Sequence, residues 1–122
     1  MKKLLPVIIL SILFSTCELF ETTVTKTIKY EVIGTAEFVN ITINNSGGNT
    51  EQFSNVPIPW NISFDVVLDK NGYDYFFIYV SAQNMGSTGS VTSNIYVDGK
   101  VAQTATSSGA YVIATASGSV KP

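Results

Sequence analysis

The side chains that ordinarily carry acid–base, nucleophilic or metal chemistry are sparse in this sequence. There is no His, which removes the commonest general base and the commonest transition-metal ligand. All seven basic residues are Lys, so the bidentate phosphate reader Arg is missing and nothing forms a basic footprint for nucleic acid. Ser and Thr are abundant, but no His can activate one, and the Lys residues are scattered over expected turns and solvent faces. Among the acids, Asp65 alternates outward on its strand, Asp69 and Asp98 lie in turns, and Asp74 starts a strand. That spacing brings no two carboxylates together as a glycosidase pair. Asp69-Lys70-Asn71-Gly72, with Asp74 beyond, has the look of part of a calcium loop. The position twelfth from Asp69 is Val80 instead of Glu, and strands flank the segment, so a hairpin turn accounts for it better. The sequence therefore assigns no catalytic residue, no metal ligand and no cofactor, and it argues against an enzyme.

One reactive side chain does stand out, the sole Cys, Cys17. Met1-Lys2-Lys3 is a short positive segment and Leu4 to Phe14 is an apolar run of eleven residues. A membrane-spanning helix needs about 20 apolar residues, so the run reads as a secretory signal. Leu13-Phe14-Ser15-Thr16-Cys17 resembles a bacterial lipobox, with Phe14 and Thr16 departing from the usual residues. The reading that follows is a lipoprotein signal peptide over 1–16, lipidation of Cys17, and membrane attachment through its acyl chains. Downstream of the signal, five Lys stand against nine acids, so side-chain charge does not help hold the chain to anionic lipid. Glu18 and Glu21 resemble the acidic sorting signals of some surface lipoproteins. The expected location is the cell envelope, on the periplasmic or cell-surface side of the outer membrane.

A second candidate is a binding face. Between Tyr73 and Ala82, alternation puts Phe76, Ile78 and Val80 on one side and Tyr73, Tyr75, Phe77 and Tyr79 on the other. Such an aromatic stripe could stack on a sugar or meet a protein partner, which makes an adhesin or glycan-binding module the alternative function. The competing account is a stripe covered by cross-strand neighbours such as Tyr96.

The elements that must position these residues are strands. Val, Ile, Thr, Tyr, Phe, Ser, Asn and Gly dominate, the vocabulary of strands and turns. Residues 17–25 read as a tether and 26–122 as one domain. Ile28, Tyr30 and Val32 share a face, Gly34 marks a bend, and Val39, Ile41 and Ile43 share the next face. Asn44 to Asn49 is a turn, and Thr50 to Ser54 a polar edge strand. Val56-Pro57-Ile58-Pro59-Trp60 must cross between sheets or run along an edge, since Pro cannot donate within a central strand. Trp60 is expected to fill the gap between sheets. Ile62, Phe64, Val66 and Leu68 alternate inward. Gly89 to Gly118 reads as a meander: a strand to Val97, an Asp98-Gly99 hairpin turn, a return strand, and a last strand from Tyr111 to Ala116. Seven or eight strands at this spacing predict an all-β, Ig-like antiparallel β-sandwich.

In order along the chain, several segments resemble the soluble domain of the MmpS family of transport accessory proteins. They are Tyr30-Glu31-Val32-Ile33-Gly34-Thr35-Ala36, Val56-Pro57-Ile58-Pro59-Trp60, Gly89 to Val101, Ser107-Ser108-Gly109-Ala110 and Ala114 to Gly118. The resemblance implies a non-catalytic accessory of an RND-type exporter, with no catalytic residue to carry over. Family members commonly bear a disulfide at the positions of Ser93 and Ala116, so the resemblance implies that these two are buried and adjacent. It also implies a transmembrane helix where this chain has Cys17, a departure that bears on any contact with a transporter.

Overall fold

Residues 22–122 are described by a computed structural model, and the alternation seen in the sequence becomes strand nearly throughout. The strands are β1 (Thr23–Gly34), β2 (Phe38–Asn44), β3 (Thr50–Pro57), β4 (Trp60–Asp69), β5 (Phe76–Asn84), β6 (Ser90–Val97), β7 (Lys100–Ser108) and β8 (Ile113–Val120). They form two antiparallel four-stranded sheets, β4-β1-β6-β7 (sheet 1) and β3-β2-β5-β8 (sheet 2), an all-β sandwich. The assigned signal peptide, Cys17 and the start of the tether lie outside the described residues. Thr23–Thr25, expected as tether, are already strand, paired with Asp69, Leu68 and Val67.

The core is where the inward faces meet. Ile28, Tyr30 and Val32 of β1, Val39, Ile41 and Ile43 of β2, Ile78, Val80 and Ala82 of β5, and Val91 and Ile95 of β6 are buried. Each large aliphatic side chain so removed from water stabilises the fold by about 1.5–3 kcal/mol before chain entropy is subtracted. Phe64 packs edge-on against Tyr30 at 5.5 Å and Phe76 at 5.8 Å, tying the sheets together.

The two open flanks are closed differently. On one, the rings of Phe53 of β3 and Trp60 of β4 meet at 5.2 Å, tilted by 53°, so half-buried Trp60 lies between the two edge strands. The β3–β4 link crosses between sheets through a cis Ile58–Pro59 peptide. On the other flank the closure is polar: Ser93 Oγ donates to the Ala114 carbonyl at 2.9 Å and Ser107 Oγ to that of Ile113 at 2.8 Å. Ser93 and Ala116 are both buried, on β6 and β8 of opposite sheets.

Two turn expectations are corrected. The Asp98-Gly99 hairpin forms, both residues at positive φ, but the expected meander stops there. β7 ends as the outer strand of sheet 1, while β8 crosses to pair with β5. The small, buried Ala114 and Ala116 match the inward Ala82 and Val80 of β5, whereas β7 is exposed along most of its length. Asp69 to Gly72 is likewise a crossing between sheets and not a hairpin, because β4 and β5 belong to different sheets. The β6–β7 hairpin, inserted in sequence between the paired strands β5 and β8, lies next to β1 in sheet 1.

Gly34 fixes how β1 leaves sheet 1. Its φ is +141°, and a Cβ there would lie 2.2 Å from the Ser90 carbonyl oxygen. That oxygen accepts the amides of Thr35 and Ala36, which turns the chain toward sheet 2.

Candidate binding face

The expected aromatic stripe is divided by the structure. Phe77 and Tyr79 lie on β5 with their rings 6.0 Å apart on the outer face of sheet 2. Tyr73 and Tyr75 precede the strand, in the loop from β4, where Tyr73 is fully exposed and Tyr75 is 61% exposed. β5 begins only at Phe76 because Asp74 holds the preceding turn, accepting the amides of Asp69 at 2.8 Å and Tyr75 at 3.0 Å. Tyr96 does not cover the stripe: it belongs to β6, in the other sheet. Of the four predicted residues, the fold groups Phe77 with Tyr79 and places Tyr73 with Tyr75 elsewhere.

Phe77 and Tyr79 border a groove of about 370 Å³, completed by Thr42, Ile43 and Asn44 of β2 and Thr50 of β3. The Asn44 side-chain amide donates to the Phe77 carbonyl and so fixes its own orientation at the groove edge. Beneath it, the hydroxyl of buried Tyr30 donates to the Asn44 carbonyl at 2.7 Å and accepts the Tyr79 amide at 3.3 Å. Burial pushes the Tyr30 hydroxyl up to about 12, against a smaller opposing effect of the Tyr79 amide, so it is protonated across the physiological range.

The groove is part of a wider uncharged surface. Paired residues in an antiparallel sheet share a face, so the register gives the outward side chains directly. They are Thr50 and Gln52 on β3, and Phe38, Asn40, Thr42 and Asn44 on β2. On β5 they are Phe77, Tyr79, Ser81 and Gln83, and on β8 Ile113, Thr115, Ser117 and Ser119. None is ionisable except the phenol of Tyr79.

Sheet 1 presents the opposite character. Lys29 and Glu31 of β1 and Asp65 and Asp69 of β4 face outward. Glu31 accepts from Asn94 Nδ2 and from the Tyr96 hydroxyl, each at 3.0 Å, and Thr104 donates to Asn94 Oδ1. Lys29 lies 5.3 Å from the Tyr96 ring centre. By accepting a hydrogen bond from the protonated Tyr96 hydroxyl, the Glu31 carboxylate raises its pKa above the usual range. This cluster was not foreseen, and its only signal was the co-facial spacing of Asn94 and Tyr96.

Each Asp among the described residues accepts a hydrogen bond within the fold. Asp65 accepts from Thr27 Oγ1, Asp69 from the Asn71 amide, and Asp98 from the Thr27 amide while lying 3.8 Å from Lys26 Nζ. Asp69 thus holds its own turn while Asp98 ties the β6–β7 hairpin to β1, and no group of three or more His, Cys, Asp or Glu among the described residues is placed to hold a metal. What these features define is a β-sandwich with one charged and one uncharged outer face. No family model and no curated protein matches the chain.

Proposed function

We propose that this protein is a non-catalytic, lipid-anchored accessory or binding module of the cell envelope, working through the outer face of sheet 2. The observation that carries the reading is the absence of charge across all four strands of that face, beside a charged sheet 1. An uncharged polar face can be covered by a partner without stranding a desolvated ion, the costly event in association. The partner implied by the MmpS resemblance is an RND-type exporter. A photoreactive residue at Ser81 or Thr115 tests this in intact cells, with Val67 on sheet 1 as the control. Adducts to a transporter from sheet 2 alone are the expected result. Equal yields from both sheets, or none, would remove the face from consideration.

A neutral glycan is the second reading, favoured by the groove itself. Phe77 and Tyr79 offer ring faces, while Thr42, Asn44 and Thr50 bring hydrogen-bonding groups to the same hollow. Phe77→Ala should then abolish binding to neutral polysaccharides without moving the unfolding midpoint, because Phe77 faces away from the core. Tyr75→Ala should leave that binding intact, since Tyr75 lies outside the groove.

A further inference from the structure

Tyr73 and Tyr75 are left without a role by the division of the stripe, and their position supplies one. The loop that carries them is bonded to the start of the described chain, with Lys70 N donating to the Thr22 carbonyl at 2.7 Å. β1 therefore enters the sandwich at the end where the two tyrosines project. Only five residue steps separate Thr22 from Cys17. However those residues are arranged, they span at most about 18 Å. A lipid on Cys17 would hold this end of the sandwich, and not the opposite one, within reach of the bilayer surface.

The chemistry of the tip suits that surface. Tyr73 is fully exposed and Tyr75 more than half exposed, an arrangement that wastes apolar ring surface in water. A phenol ring has an apolar body and a polar end, and such rings concentrate where hydrocarbon meets headgroups. Lys121 and Pro122 complete a notch of about 320 Å³ with Tyr73, Asp74 and Tyr75. The neighbouring carboxylates do not oppose approach freely, because Asp69 and Asp74 are turned onto the loop amides. These same bonds hold the loop closed, so little order remains to be gained on contact.

We infer that the 70–75 loop is a membrane-contacting tip, in which Tyr73 and Tyr75 enter the bilayer interface and set the sandwich upright on its anchored end. The inference rests on the lipid-anchored reading of Cys17. It goes beyond that reading because acyl chains alone fix distance from the membrane, not orientation.

Full-length lipoprotein, extracted from envelopes and reconstituted into vesicles of lipid with brominated acyl chains, provides the test. Tyr73→Trp is compared with Tyr111→Trp, an exposed position in the β7–β8 loop at the far end, each retaining Trp60 as a common background. Lipid bromines should quench the indole at 73 several-fold more than the indole at 111. Intact mass shows separately whether Cys17 carries lipid. A lipid-free chain overturns the anchorage and this inference together. A lipidated chain whose two indoles are quenched alike overturns the orientation alone. Stronger quenching at 111 does so too, by placing the far end against the membrane. Shielding of the indole at 73 from aqueous iodide in native envelopes, with no bromine quenching in vesicles, would give the tip to another envelope molecule and also overturn it.

Discussion

The Tyr30 hydroxyl, rooted in sheet 1, donates a 2.7 Å hydrogen bond to the Asn44 carbonyl in sheet 2, directly under the groove that Asn44 helps to line. A single phenol thus joins the core to the candidate binding face. The Tyr79 amide bonds the same oxygen.

Tyr30→Phe keeps the ring and deletes both bonds. Leaving the Asn44 carbonyl and Tyr79 amide short of a partner should lower stability by about 1–3 kcal/mol in urea unfolding at neutral pH. The ring contact with Phe64 survives, so the variant should fold.

The same residue predicts a pH dependence. Folding raises the Tyr30 pKa from 10.0 to about 12, so the native state holds its proton more tightly than the unfolded chain does. The corresponding stabilisation is complete below pH 10 and is lost as pH climbs from 10 towards 12. The stability gap between the wild-type chain and Tyr30→Phe should therefore narrow over that window and stay constant below it. A gap that widened above pH 10 would contradict the assignment.

Gly34→Ala should be among the most damaging small substitutions. The backbone conformation alone costs about 1–3 kcal/mol for a residue with a Cβ, and here that atom would meet the Ser90 carbonyl. Gly72→Ala is the matched control, having open space and no positive φ, and should shift the thermal midpoint little.

Asn84 is fully buried and satisfied: its side-chain amide donates to the Thr88 and Gly109 carbonyls, and its oxygen accepts the Gly86 amide. Asn84→Ala should cost about 2 kcal/mol or more by stranding these groups. Hydrogen exchange should show the loss concentrated in the 85–89 and 109–112 loops that it joins.

The pair Ser93 and Ala116 offers a direct test of the family resemblance. The double variant Ser93→Cys, Ala116→Cys is expected to oxidise to a bridge, seen as a loss of two hydrogens in intact mass, and to gain about 2–4 kcal/mol. Thiols that stay free under oxidant would show that the Cα spacing a bridge requires, about 4.4–6.8 Å, is not met.

What the sequence determined follows from period and punctuation. Ile28-Tyr30-Val32 and Ile62-Phe64-Val66-Leu68 had to face inward, since a one-residue slip would reverse every side chain. Asp98-Gly99 had to turn, and the two Pro residues had to sit at an edge or outside the ladder: Pro57 is the last residue of edge strand β3 and Pro59 lies in the link to β4. These are local constraints, readable within a few residues.

Which strands pair is not local, and only the tertiary structure decided it. β8 follows β7 closely, yet it joins β5, whose edge away from β2 would otherwise carry unpaired backbone groups and whose inward Val80 and Ala82 match the small Ala116 and Ala114. The same holds for the aromatic residues. Alternation alone assigned Tyr73, Tyr75, Phe77 and Tyr79 to one side, but alternation continues only while the chain is strand. The Asp74 carboxylate ends that condition by bonding two amides of the turn. It sends two rings to a groove in sheet 2 and two to the end where β1 begins.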